Sequence, residues 1–295
     1  MGETIENENE HKHLGLIMRS DLTWSSHINS LTTKGTKMVN IMKHLQYRLS
    51  RHSLEIIYFA FIRPILEYGS VVWDGCSLQE SQQLEGASCV ITGATRYTSH
   101  ALIYEESGLE KLSERRKKSK LILFYKIMHV MAPQYLRKLV PSTVSERNRY
   151  NVRSRHNLSN IRTRTNLFNN SFFPSVIRLW NELPRTTRNA EAVEEFENKL
   201  NRNSNIDKPN KSFYIADRRL AISHARLRMQ CSGLHDDLFK KGLVDSPECA
   251  CNTANEDAFH YLCEYPRYRL YREKLQMTVI TLISTIYNSY PTIWL

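Results

Sequence analysis

The residues best suited to chemistry form a cysteine and histidine cluster near the end of the chain. Cys249, Cys251, His260 and Cys263 fall within the 15-residue segment CACNTANEDAFHYLC. Thiolate sulfur and imidazole nitrogen are the usual ligands of a tetrahedral zinc ion. A helix would place His260 and Cys263 on one face, with the other two cysteines approaching from a turn. The spacing predicts a structural zinc site with these four ligands and Cys231 in reserve; the alternative is free cysteines in a small helical core.

Two basic segments are candidates for contact with nucleic acid. The first opens a predicted helix over 110–130, where cations are disfavoured because the helix dipole is positive. The second, 147–181, has seven arginines, no acid and interleaved aromatic residues. Arginine offers a fork to phosphate and aromatic rings stack on bases, which favours a single strand or an RNA loop. The candidate residues are Arg115, Arg116, Lys117, Lys118, Lys120, Arg147, Arg149, Arg153, Arg155, Arg162 and Arg164.

Each basic segment also has a structural explanation that does not involve nucleic acid. The first would be a solvated helix face, and the second an irregular segment that packs its aromatic residues on a helical core. The overall charge favours the functional interpretation, because 41 Lys and Arg against 30 acids give a net charge of +11. Such a balance suits a polyanion, with RNA or DNA as the leading partner.

The sequence also indicates the cellular compartment. The opening MGETIENENE has no apolar core of a secretory signal, and no run reaches the ~18 apolar residues of a membrane span. We therefore expect an intracellular protein, nuclear or cytoplasmic, without a membrane partner. The six cysteines are unevenly spread, which favours reduced thiols or metal ligands over a disulfide framework.

Apolar periodicity predicts a mainly α fold. Helices are expected over 28–45, 54–66, 110–130, 191–200, 218–230 and 268–287. Pro64 should kink or divide the second of them. Short strands are an option within 150–180. We expect a disordered start at 1–10, a larger helical domain at 11–203, a polar linker at 204–212, and at 213–295 a small α module with the candidate zinc site and a terminal helix.

The chain lacks the carboxylates that a polymerase requires. Polymerisation uses acidic residues that hold two metal ions, yet only eight aspartates occur and none lies between residues 75 and 206. The one adjacent pair, Asp236 and Asp237, is interpreted as a solvated helix start. No hydrolase triad motif or glycine-rich phosphate loop is present. We assign no catalytic and no cofactor-binding residue other than the metal ligands, and expect no enzyme activity from the chain by itself.

Several long segments, in order, resemble one family. They are HKHLGLIMRSDLTWSSHI at 11–28, RHSLEIIYFAFIRPILEYGSVVWDGCS at 51–77, then ITGATRYTS, GLEKLSERRKKSKLILFYKIMH and FFPSVIRLWNELP, and finally ARLRMQCSGLHDDLFKKGLVDSPECACN with EDAFHYLCEYPRYRLYRE. Together they resemble the post-palm end of a non-LTR, jockey-like (LINE-type) retrotransposon reverse transcriptase. The segment at 11–28 is similar to the part of the family just after its palm, the segment at 51–77 to its thumb-like helical region, and the last two segments to its terminal Cys/His module. The family pattern has its last cysteine at the position of Tyr265, just before Pro266.

The resemblance implies a role in target-primed reverse transcription. In that process an endonuclease nicks DNA and the polymerase copies the element RNA from the exposed end. The palm and the endonuclease would both lie upstream of residue 1. The expected function is that of a transposable-element fragment: a non-catalytic region of an RNA-directed DNA polymerase that binds template and primer, or the target, beside those upstream domains.

Two alternatives stay open at this point. The chain is an inactive retroelement remnant or an interaction module without present activity. Otherwise it is an RNA-directed DNA polymerase by descent only, which needs a palm domain supplied by another chain.

Overall fold

A computed structural model describes residues 8–74, 86–95, 97–147, 155–202 and 217–276. The chain divides into two compact units, 1–93 with 100–221 and 94–99 with 222–295. Helices make up most of the described residues, so the predicted mainly α class is confirmed. The predicted linker at 204–212 lies outside the described residues, as does most of the start predicted to be disordered, of which Glu10 begins the first strand.

The first unit opens with a hairpin and continues in helices. Strands β1 (Glu10–His13) and β2 (Leu16–Arg19) are antiparallel, with Glu10 opposite Arg19. The helices that follow are α1 (Ser25–Leu45), α2 (Arg51–Ile57), α3 (Arg63–Glu67), α4 (Ser70–Trp73), α5 (Gly86–Thr92), α6 (His100–Ser107), α7 (Leu112–Met128), α8 (Gln134–Arg137), α9 (Val144–Arg147), α10 (Asn166–Asn170), α11 (Phe172–Glu182), α12 (Arg185–Arg188) and α13 (Val193–Arg202).

The predicted helix over 54–66 is divided, as its proline requires. α2 ends at Ile57, a π-helical turn spans Tyr58–Ile62, and α3 starts at Arg63 with Pro64 in its first turn. Proline has no N–H, so the carbonyl four residues back loses its helical partner. The Arg63 N–H instead donates to the Tyr58 carbonyl, five residues back, which is the π pattern.

The core beside the second basic segment is built on α7, α11 and α13. Phe124 and Trp180 meet edge to face with ring centroids 5.2 Å apart, and Phe196 stacks on Tyr125 at 4.6 Å. Phe196 is fully buried, which stabilises the fold by about 1.5–3 kcal/mol. This cluster sets the orientation of α7, the helix that carries the first basic segment.

The same core settles part of the second segment. Trp180 is buried within it, and Phe172 and Phe173 pack against its edge. For these three rings the alternative of aromatic packing on a helical core is therefore confirmed. Phe168 stays exposed. Within the described part of 150–180 there is no strand, only an isolated bridge from Leu158 to Thr143.

The second unit holds the cysteine and histidine segment. α14 (Arg218–Arg228) contains the boundary between the units, and α15 (His235–Phe239) follows. A π-helical turn spans His260–Glu264 and a 3-10 turn spans Pro266–Tyr268. Residues 269–276 are helical, in agreement with the start of the predicted last helix; the rest of that helix lies outside the described residues.

One interpretation in this unit is wrong. Asp236 and Asp237 lie in the first turn of α15 as predicted, but Asp237 is buried rather than solvated. Its Oδ2 accepts hydrogen bonds from the backbone N–H of Ser232 at 2.9 Å and from the Ser232 hydroxyl at 2.5 Å. Asp237 therefore ties the loop before α15 to the helix.

Candidate metal centre and nucleic-acid interface

A tight hairpin presents the two cysteines. Residues Glu248 and Asn255 pair across its base, and the Cys249 N–H donates to the Ala254 carbonyl at 3.0 Å. Asn252 turns the chain at φ 58°, a left-handed conformation that asparagine tolerates better than most residues. The hairpin buries Cys249 and leaves Cys251 partly exposed.

A short helical segment presents the histidine. Asp257 caps its start, because the Asp257 carboxylate accepts the His260 backbone N–H at 2.7 Å and the Asp257 carbonyl accepts the Tyr261 N–H at 3.0 Å. His260 is buried, and its Nδ1 lies 3.1 Å from Glu264 Oε2. A carboxylate on one imidazole nitrogen is the arrangement that orients a metal-ligating histidine through the other.

These two elements bring together a group that can hold a metal ion. The ligand atoms of Cys249, Cys251 and His260 all lie within 4.8 Å of one another. Cys251 Sγ is 3.1 Å from His260 Nε2. In a tetrahedral zinc site these two atoms would be about 3.6 Å apart, from bond lengths of about 2.3 and 2.0–2.1 Å. Cys251 Sγ and His260 Nε2 would therefore accommodate the ion if they moved apart by about half an ångström.

The three ligands differ in how readily they reach the deprotonated form that binds a metal. The Thr253 hydroxyl, 2.9 Å from Cys251 Sγ, lowers the pKa of that thiol to about 6, with further help from Cys249 and His260. Burial raises the pKa of Cys249, and the bond to Glu264 raises the pKa of His260. Cys251 is therefore the thiolate most available to a metal at neutral pH, because the thiolate and not the thiol is the ligand.

Cys263, the predicted fourth ligand, is exposed and does not join the group. The prediction assumed α-helical spacing, in which residues three apart share a face. The segment is instead a π turn, closed by the Tyr265 N–H donating to the His260 carbonyl at 2.7 Å. With this wider turn, residues four and five positions on return to His260: Glu264 by its carboxylate and Tyr265 by its ring, 6.0 Å away.

The other described cysteines do not belong to the metal group. Cys231, held in reserve, is buried but lies outside the metal group. The five cysteines within the described residues are free thiols. Glu264 and Thr253 were missed, although a carboxylate four residues after His260 is a signal that could have found the first of them.

The first basic segment lies on α7 and is matched by acids. Arg115 pairs with Glu67 and Glu110, Lys117 with Glu114 at 2.8 Å, and Lys118 with Glu110 at 2.5 Å. Arg116 and Lys120 are buried, and both contact the Asp74 carboxylate, at 2.5 and 3.0 Å. Neither Arg116 nor Lys120 is accessible to a phosphate in this structure, because both side chains are buried against Asp74, the residue that follows α4.

The second basic segment has exposed basic side chains among its described residues. Arg155, Arg162 and Arg164 are exposed, and Phe168 nearby in the chain keeps 47% of its surface accessible. Arg149 and Arg153 lie outside the described residues, and of Arg147 only the helical backbone of α9 is described. Three of the predicted arginines therefore lie exposed on the surface of the first unit.

No family model matches this chain, and no curated protein or solved structure matches it either. Across the described ranges, no helix is both long and apolar enough to cross a membrane.

Proposed function

We propose that this chain is a non-catalytic nucleic-acid-binding region of an RNA-directed DNA polymerase of the non-LTR retrotransposon kind. The observation that carries the proposal is the set of exposed arginines at 155, 162 and 164, in a stretch from 155 to 181 without an acid. Its partners are RNA or DNA and the palm and endonuclease domains of the same element. The resemblance of seven long segments, in order, supports the family.

The exposed arginines are suited to binding nucleic acid without regard to its base sequence. Phosphate contacts fix the position of a protein on nucleic acid and supply most of the non-specific affinity. A net charge of +11 adds a long-range attraction for the polyanion. Phe168 presents an exposed ring, on which an unpaired base can stack.

We propose that the metal is zinc and that its role is structural. Two thiolates and one imidazole are the donor set that zinc accepts in tetrahedral geometry. The ion would join the hairpin of Cys249 and Cys251 to the helical segment of His260. Such a cross-link is important for stability because the described part of the second unit buries few apolar side chains. They are Ile222, Ala225, Met229, Cys231, Leu234 and Cys249.

The nucleic-acid proposal is tested by binding of the full chain to a labelled single-stranded RNA over a salt series. Each phosphate contact contributes about 0.7 to the slope of log affinity against log salt for a single strand. Replacement of Arg155, Arg162 and Arg164 by Gln is therefore expected to lower the slope by about 2. A parent chain without salt-dependent binding would favour the inactive remnant.

A matched control removes the same charge elsewhere. Lys34, Lys37 and Lys43 are exposed on α1, and their replacement by Gln also removes three charges. We expect the slope to stay at the parent value. An equal loss in both triple variants would show that net charge, and not this segment, binds the RNA.

The zinc proposal is tested by metal analysis of the purified full chain. We expect about one zinc ion per chain, lost in Cys251→Ser and retained in Cys263→Ser. A parent chain that purifies without zinc and does not take it up on addition would contradict the proposal.

A further inference from the structure

A cavity of about 410 Å³ lies in the first unit beside α10. Its volume falls within the roughly 300–1,000 Å³ that is usual for small-molecule sites. Four parts of the chain form its wall: the second strand of the hairpin, the turn before α1, α4 and the segment around α10. The apolar residues of the wall are Met18, Leu22, Trp24, Val72, Leu167 and Phe168. A cavity of this kind suits a flat, largely apolar ring system.

Phe168 supplies an accessible aromatic ring in the cavity wall. It keeps 47% of its surface exposed although it lines the cavity. Its backbone is held on both sides: Thr165 Oγ1 accepts the Phe168 N–H at 3.2 Å, and the Ser171 hydroxyl donates to the Phe168 carbonyl at 2.7 Å. These bonds limit where the ring can lie, so less freedom is lost when a ligand packs on it.

The turn before α1 is also held by hydrogen bonds. Asp21 Oδ1 accepts the Thr23 N–H at 2.9 Å and the Thr23 hydroxyl at 2.7 Å, and the Leu22 N–H donates to the Arg19 carbonyl at 3.0 Å. Leu22 is exposed and has φ 60°, a left-handed conformation that is unfavourable for leucine. An apolar side chain held at a cavity in such a conformation points to a ligand that covers it.

The charges beside the cavity favour a ligand that carries phosphate. Arg162 and Arg164 are exposed and closely precede Thr165, which lines the cavity. The stretch 155–181 around them has no acid. Arg19 also lines the cavity, but its guanidinium already pairs with two carboxylates, at 2.9 and 3.2 Å. Arg162 and Arg164 are therefore the candidates for phosphate contacts.

An exposed amide at the cavity can contact the edge of a base. Asn170 lines the cavity, and its side chain offers both donors and an acceptor. The neighbouring Asn169 is engaged elsewhere, because its Oδ1 accepts from Arg178 Nη1 at 2.7 Å. An asparagine amide pairs with a base edge that presents a donor beside an acceptor. An apolar protein side chain would use neither this amide nor the adjacent arginines, so the wall favours a nucleotide.

We infer that this cavity binds one unpaired nucleobase of a single-stranded RNA, an inference that rests on the proposed function. The base stacks on Phe168, and the phosphates on either side of it meet Arg162 and Arg164. Stacking supplies affinity for any base because each has a π face, and the Asn170 amide orients the base within the cavity.

The test measures binding of the full chain to a single-stranded oligouridylate that carries one 2-aminopurine, a base whose fluorescence falls when it stacks. Phe168→Ala should weaken binding roughly 5-fold to 150-fold, the range for loss of one stacked base, and should abolish the fall in fluorescence. The slope of log affinity against log salt should stay at the parent value because no phosphate contact is removed. Phe168→Tyr keeps a ring and should match the parent.

Two controls separate stacking from other causes. Tyr135→Ala removes an exposed ring on α8, outside the cavity, and should bind RNA as the parent does. Inorganic polyphosphate has the charge but no base, so Phe168→Ala should bind it as tightly as the parent. An equal loss of affinity for RNA and for polyphosphate would show that Phe168 acts through the fold or the charge, and the assignment to a nucleobase would be overturned.

The outcomes also separate this inference from the proposed function. If the parent binds RNA with a steep salt slope and Phe168→Ala matches it in affinity and in fluorescence, the cavity does not hold a base. The cavity is then left to an apolar side chain of a protein partner, and the proposed function stands. If the parent shows no salt-dependent binding to RNA, the proposed function and the inference both fail.

Discussion

Replacement of Tyr265 by cysteine is expected to complete the metal site. The π turn at His260–Glu264 directs position 265 back towards His260, whose carbonyl accepts the Tyr265 N–H at 2.7 Å and whose ring lies 6.0 Å from the tyrosine ring. A thiol at this position would lie in the same turn as His260, one of the three residues of the metal group. Cys263, two residues earlier, faces solvent.

The magnitude follows from the number of ligands. Structural zinc sites with four protein ligands bind with about 10–16 kcal/mol, so one ligand is worth roughly 2.5–4 kcal/mol. The substitution also removes ring contacts of Tyr265 with Tyr261 and Tyr268, whose centroids lie 6.2 and 5.5 Å away, and such pairs contribute about 0.5–1.5 kcal/mol each. At the middle of both ranges the gain of about 3 kcal/mol exceeds the loss of about 2 kcal/mol, so zinc affinity should rise roughly 10-fold.

The assay is competition of the full-length chain against a chromogenic zinc chelator, with cobalt absorption as a measure of thiolate ligands. Tyr265→Cys should add one thiolate to the cobalt spectrum, and Tyr265→Phe should match the parent. Cys263→Ser should leave affinity unchanged. If Cys263→Ser weakens zinc as strongly as Cys251→Ser does, Cys263 is a ligand and the reasoning from the π turn is refuted.

Three further predictions concern stability and metal binding. Asp74→Asn leaves two buried cations without their shared carboxylate, so the free energy of unfolding measured in urea should fall by about 3–5 kcal/mol. The control Glu114→Gln affects one exposed ion pair and should change that free energy little. Burial, and after it the nearby Lys34, lowers the pKa of His27. The contribution of neutral His27 to stability is therefore full above the unfolded-state pKa of about 6.5 and is lost as the pH falls through the lower pKa of the folded state. The His27→Gln variant should show a shallower pH dependence of its melting temperature. Glu264→Gln removes the carboxylate on the His260 ring, so zinc affinity by chelator competition should fall about 10–100-fold, and an unchanged affinity would exclude this orienting role.

Several features of the fold could be predicted from the sequence because they depend on local pattern. The expected helices over 28–45 and 110–130 are observed as Ser25–Leu45 and Leu112–Met128. Apolar residues at helical spacing determine such elements whatever surrounds them. Pro64 likewise predicted a divided helix, because the missing N–H acts on its own neighbours.

The metal group was predictable in part for the same reason. Cys249 and Cys251 are two residues apart, and His260 follows nine residues later, so a short hairpin is enough to bring them together. Cys263 was selected on the assumption of an α-helical repeat. The π turn changes which residues share a face, and an apolar or polar pattern does not report such a local change in helical register.

Tertiary structure alone decided which cations are available. The sequence shows Arg116, Lys120 and Arg155 as equal members of basic segments, but the fold buries the first two against Asp74 and exposes the third. Ion pairs between residues more than forty positions apart depend on how helices pack, and no local pattern encodes them. The sequence by itself determined the helical class, the position of the Cys/His segment and the net charge; packing determined which of those charges can meet a partner, because burial depends on neighbours distant in the chain.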